Sequence, residues 1–174
     1  MERPVTAGPR PAWYRRLPPA LQKVAAASDR VPSVRFEASP ALTATVAALP
    51  AVLATGRPGD VQVLAQRIAD GVCSQLRVAP VRIEVALRRP PLRGGELHGL
   101  YEPGNGHGRD HITVWMLTAK QGRVVAFKTF LRTLLHELCH HLDYTLLNLR
   151  DSLHTQGFYQ RESSLFTALG ARSV

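Results

Sequence analysis

Only two cysteines, Cys73 and Cys139, occur in the chain, too few to staple a domain of this size. A disulfide scaffold is excluded and a reducing compartment is expected. Lysine is scarce: of 22 basic residues three are Lys and 19 are Arg, against 13 acidic residues, for a formal net charge of +9. No apolar run reaches the roughly 18 residues that a membrane span requires. The longest, Ala41 to Ala54, is broken by Thr43, Thr45 and Pro50. The Pro-broken N-terminus lacks the apolar stretch of a signal peptide, so a cytoplasmic protein without membrane contact is expected. Internal repeats and low-complexity tracts are also missing. What remains is enough for a core: 45% hydrophobic and 20% charged residues over 174 positions fit one domain plus an arm.

Residues 1–33 read as that arm, basic, Pro/Arg-rich and carrying one short helix from Ala20 to Ser28. Through Arg35 it holds seven basic and two acidic residues. Trp13 and Tyr14 stand among its arginines, able to stack on bases, so DNA is a possible partner and a solvated tail the plainer alternative. Residues 34–174 read as an α+β domain. Val34 to Glu37 suggests a short strand. Ser39 is placed to cap a helix that has Pro40 at its first position and Gly56 beyond its end. Asp60 is expected to cap a further helix from Val61 to Leu76, whose apolar residues recur at steps of three and four, with Cys73 near its buried face. Val81 to Leu87 alternates as a half-buried strand. Glu96–Tyr101 and His111–Leu117 read as a hairpin around a turn-rich loop containing His107, itself expected to be an exposed polar residue.

From Val124 to Leu149 there is neither Gly nor Pro, and the apolar period is helical. At about 100° per residue with His136 at zero, His140 falls near 40°, Glu137 near 100° and Asp143 near 340°. Leu131, Leu135, Leu138, Leu142, Leu146 and Leu149 gather between roughly 200° and 280°. One side is therefore a leucine seam on which the small sheet should pack, and the opposite arc carries His136-Glu137-Leu138-Cys139-His140, an H-E-x-x-H pattern. Seven His and seven Glu in 174 residues produce this pattern by chance in about one chain in a hundred, before a helix is asked for. Two histidines one turn apart can offer ring nitrogens to one metal ion, and the glutamate beside them can take a proton from water held there.

A catalytic zinc site takes three protein ligands and leaves one position open. His154, past the helix end, is the favoured third ligand, and Glu162 is the alternative. Asp143 shares the helix of both histidines and suits a hydrogen bond that orients a ligand imidazole better than direct ligation. His141, near 140°, points away from the metal arc as a packing or surface histidine. Cys139 is read as a small buried side chain.

His136, Glu137, His140, His154 and Phe158, after a hairpin at Glu96–Leu117, resemble the SprT-like (Spartan-type) zinc metallopeptidases over roughly residues 80–170. Thr155 stands where that family usually has Gly. Its common C-terminal zinc ribbon cannot be built from two cysteines. The resemblance implies a minimal zincin-like domain with a mixed or antiparallel sheet on a long active-site helix, and suggests that DNA could bring protein substrates to it.

The expected chemistry is zinc-dependent hydrolysis of peptide bonds, with one Zn2+ per chain and Glu137 as general base. Tyr144, Tyr101 and Tyr159 are candidates for contact with the oxyanion or substrate. Resemblance to zincins implies that Glu96–Tyr101 is the sheet edge above the cleft, where an extended protein or peptide substrate could add as another strand. Two other classes stay open: a metallohydrolase of non-peptide amides, and a zinc-stabilised nucleic-acid-binding module without catalysis.

Overall fold

The computed structural model describes residues 11–88, 99–104, 108–118 and 120–171. Arg3, Arg10, His107 and the Glu96–His98 part of the expected strand lie outside the described residues. The described chain is mixed α+β, with six helices and one three-stranded sheet. The helices are α1 Ala12–Arg15, α2 Pro19–Asp29, α3 Pro40–Ala54, α4 Pro58–Leu76, α5 Phe127–Thr145 and α6 Gln156–Ala168. The strands are β1 Arg82–Ala86, β2 Gly99–Glu102 and β3 His111–Trp115, in the order β1-β3-β2. β1 runs parallel to β3, and β2 pairs with β3 antiparallel, so the sheet is mixed. None of these helices is long and apolar enough to cross a membrane.

Alternation decides which face of the sheet is covered. Ile83 and Val85 of β1, Ile112 and Val114 of β3, and Gly99 of β2 are buried, while Arg82, Glu84, Leu100 and Glu102 point outward. The buried face takes α4 beneath β1, and α5 beneath β2 and β3. α3 lies against α4, and α6 against α5. On α5 the seam residues Leu131, Leu135, Leu138 and Leu142 are fully buried, joined by Phe130 and Leu134. Each such side chain contributes roughly 1.5–3 kcal/mol by leaving water.

α5 is shorter than its apolar period suggests, and both ends have a local cause. Val124 bridges Leu117, and the Val125 N–H donates to the Met116 carbonyl at 2.8 Å. These residues are spent on a ladder and the helix begins at Phe127. At the other end the N–H groups of Leu146 and Leu147 both reach the Leu142 carbonyl, and Asn148 takes a left-handed φ of 51°. Asparagine tolerates that conformation better than most residues. Leu149 thus lies outside the helix, and the chain turns back along it.

Three other expectations are corrected. Val34–Glu37 is not a strand: Val34 and Phe36 pack on the core, but neither has a ladder partner. Asp60 does not cap α4, because Pro58 starts the helix two residues earlier and Asp60 sits in its first turn, 2.6 Å from the Arg57 guanidinium. Tyr14 is not a free stacking platform. It is 3% exposed, and its hydroxyl donates to the Gln22 carbonyl at 2.6 Å, whereas Trp13 is 41% exposed. The described part of the 1–33 segment is also docked, with α2 packed on α6.

His141 is a packing histidine, fully buried. Its Nε2 lies 2.8 Å from the Ala79 carbonyl and its Nδ1 2.8 Å from Oδ2 of Asp110. Burial pushes the Asp110 carboxyl up. Hydrogen bonds from Tyr101, the Gly104 N–H and His141 outweigh that and hold it below the usual carboxylate range. Both neighbours of the imidazole are thus acceptors, and both ring nitrogens donate. One histidine thereby ties α5 to both β1 and β3 at their entrances.

Candidate metal centre

His136 and His140 sit on successive turns of α5, and the turn at Asn148 returns the chain so that His154 faces them. Nε2 of His154 lies 2.9 Å from Nε2 of His136 and 3.1 Å from Nε2 of His140. Tetrahedral zinc with Zn–N bonds of about 2.05 Å separates its nitrogens by roughly 3.3 Å. Both distances fall within a few tenths of an ångström of that spacing, and the three ligand atoms lie within 4.8 Å of one another, so this group could hold a metal ion. Phe158 forms the floor. Its buried ring lies 4.9, 4.7 and 5.2 Å from the rings of His136, His140 and His154.

Hydrogen-bond accounting fixes what the nitrogens present. Nδ1 of His136 lies 3.1 Å from Oε2 of Glu162, a carboxylate that Arg132 approaches at 3.4 Å from the other side. A carboxylate only accepts, so Nδ1 donates, and in the neutral ring Nε2 keeps its lone pair. Nδ1 of His140 lies 2.6 Å from Oγ of Ser152, whose own hydrogen goes to Oδ2 of Asp143 at 2.7 Å. With its proton committed to a carboxylate, the Ser152 hydroxyl accepts from His140. Again Nδ1 donates and Nε2 keeps its lone pair. Burial, then the neighbouring His136 and His154, push His140 down to about 3, which keeps the ring neutral near pH 7. His154 is lowered for the same first two reasons, burial and His136. Two lone pairs therefore converge on Nε2 of His154, which can donate to one of them at most. A cation satisfies all three.

Glu137, between the two histidines, is 7% exposed. Burial pushes its carboxyl up to about 7, while the neighbouring His136 and a hydrogen bond from the Tyr101 N–H pull it back. It fits against β2 because Gly99 has no side chain. A Cβ at that position would lie 2.6 Å from both Cγ and Oε1 of Glu137.

Several expectations about neighbouring residues are refined. Asp143 does not touch an imidazole. It reaches His140 through Ser152, and its other oxygen accepts from Arg161 at 2.8 Å. Glu162 is not among the converging atoms, because it holds the far nitrogen of His136. The Tyr101 hydroxyl is committed to Asp110 at 2.6 Å. Its ring stacks on His140 at 6.4 Å and on Tyr144 at 5.8 Å. Tyr159, 49% exposed, lays its ring over His154 at 5.9 Å. Cys139 is wholly buried, its thiol raised by burial. Ser152, Arg161, Arg132 and Asp110 were not legible as members of the site. Each is a common residue type, with no periodic signal linking it to its partner.

No known protein family, curated protein or solved structure matches the chain.

Proposed function

We propose that the chain is a zinc-dependent metallopeptidase built on a minimal zincin-like domain, with His136, His140 and His154 as ligands and Glu137 as the general base. The observation that carries this reading is the convergence of three Nε2 atoms, two of them fixed as lone-pair donors by hydrogen bonds at Nδ1. Neutral imidazoles suit zinc among several transition metals. Three protein ligands leave a position open, as catalytic zinc sites do, whereas structural sites are closed by four; among the described residues three converge. When bound, zinc supplies a Lewis acid and lowers the pKa of water toward about 7. Glu137, buried beside that position, holds and returns the proton on its carboxylate.

A protein substrate is favoured by the position of Glu137 against β2. The Tyr101 N–H is directed to its carboxylate, which sets the base at the rim of the sheet. Among the described residues β2 is one of the two outer strands of the order β1-β3-β2, and an extended peptide adding there passes the carboxylate. Tyr159, half-exposed and over His154, is placed to meet a substrate carbonyl better than Tyr101, whose hydroxyl is engaged.

The test is elemental analysis and metal competition on the full chain, alongside casein hydrolysis. About one zinc per chain is expected. His154→Ala should lose it to a mild chelator, whereas Glu162→Ala should still load fully at saturating zinc, with affinity about 10–100-fold lower. Absence of zinc binding by the unaltered chain, or His154→Ala binding as tightly as the parent, would overturn the assignment.

Gly99→Ala isolates the general base. The three atoms nearest the new methyl all belong to Glu137, which is pushed aside, so zinc content should stay and hydrolysis fall by about 10²-fold. Unchanged hydrolysis would show that the position of Glu137 does not matter.

A further inference from the structure

The turn that ends α2 lies more than 120 positions before the segment carrying His154 in sequence, yet meets it. The Ser28 hydroxyl is 2.9 Å from Oγ1 of Thr155, the residue that follows His154 and caps α6. Asp29 Oδ1 accepts from the Gly157 N–H at 2.8 Å. The approach is close enough that a Cβ on Gly157 would lie 2.4 Å from the Ser28 carbonyl oxygen. Arg161, fully buried, then joins this turn to the other side of the centre. One guanidinium nitrogen, Nη1, donates to the Ser28 and Val31 carbonyls at 2.8 and 2.6 Å. The other, Nη2, donates to the Ser28 hydroxyl at 2.9 Å and to Oδ1 of Asp143 at 2.8 Å. Asp143 holds Ser152, and Ser152 holds Nδ1 of His140.

We propose that Ser28, with Arg161, is a positioning residue of the metal centre, setting His154 through Thr155 and His140 through Asp143 and Ser152. The inference rests on the metal reading above. Its physical content is that two imidazoles on different segments must keep their Nε2 atoms about 3 Å apart. A single buried hydroxyl has a hydrogen-bonded route to both. His136 is held separately by Glu162. The N-terminal segment, usually read as an appendage, is in this view part of the ligand framework, and the metal affinity reports whether it is docked.

The test uses the full chain, freed of metal and titrated with Co2+, whose absorption spectrum reports ligand geometry. Ser28→Ala removes the hydroxyl and little volume. Its Co2+ affinity should fall about tenfold, with a changed visible band, while the metal-free chain melts within a few degrees of the parent. Ser152→Ala should show a comparable loss, and Ser152→Thr, which keeps the hydroxyl, should restore most of it. If Ser28→Ala does not fold, the half-exposed Asp29→Ala decides by the same measurement, because it releases the Gly157 N–H. Parent-like Co2+ affinity and spectrum in a folded Ser28→Ala or Asp29→Ala chain would overturn the proposal and leave the turn a simple staple. Failure of the unaltered chain to bind Co2+ or zinc would instead remove the metal reading beneath it.

Discussion

Glu137→Gln is expected to keep its zinc and to lose hydrolysis of a protein substrate by about two to four orders of magnitude, the usual worth of a positioned general base. The argument begins with the environment. The carboxyl is nearly buried, and burial raises it to about 7 against the opposing pull of His136 and the Tyr101 N–H. A group poised there can accept a proton and return it at neutral pH, which an ordinary glutamate near 4.3 does poorly. Glutamine has the same shape and its amide oxygen can still accept from the Tyr101 N–H, so the local packing survives. None of the three converging nitrogens belongs to Glu137, so metal content should not change. The check is turnover of casein with zinc stoichiometry measured on the same preparation. A variant with intact zinc and parent-like turnover would remove Glu137 from the base role. A variant without zinc would show that the carboxylate helps to hold the metal.

The parts of this fold that sequence makes legible are those where one local pattern suffices. α5 announces itself through a stretch free of Gly and Pro with leucines at helical spacing, and its histidines fall on one arc because 3.6 residues make a turn. β1 and β3 follow from period-two alternation. Where an element begins or ends is a tertiary matter. Val124 and Val125 fit the helical period equally well, but a ladder to Leu117 and Met116 claims them. Val34 and Phe36 alternate like a strand, yet meet the core without a partner strand. The site divides in the same way. His136, Glu137 and His140 are contiguous and readable, and His154 follows at a distance that a turn can close. Ser152 and Arg161 could not be found, because their meaning lies in what they touch. Asp143 shows the limit of wheel arithmetic: the angle puts it near the histidines, but its oxygens go to Ser152 and Arg161.

Arg161→Ala is expected to destabilise the chain by about 3–5 kcal/mol, the cost of breaking one side of a buried ion pair. Arg161 and Asp143 are both wholly buried, 2.8 Å apart. Removing the guanidinium strands the Asp143 carboxylate in the interior and leaves the buried Ser28 carbonyl without this donor. A domain of ordinary stability has only about 5–15 kcal/mol in total, so the variant stands near its folding threshold. Replacing both charges, as in Arg161→Met with Asp143→Leu, should recover much of the loss, since the uncompensated charge disappears with its partner. The same reasoning predicts what truncation does. A chain beginning at Val34 lacks Ser28 and Val31, which provide three of the four hydrogen bonds from Arg161, and should be destabilised to a similar extent. Urea unfolding of the parent, Arg161→Ala, the double variant and the truncated chain measures all of this. A loss under 1 kcal/mol in Arg161→Ala would mean that water or another cation reaches Asp143 readily, and that the Arg161 hydrogen bonds add little to holding the N-terminal segment.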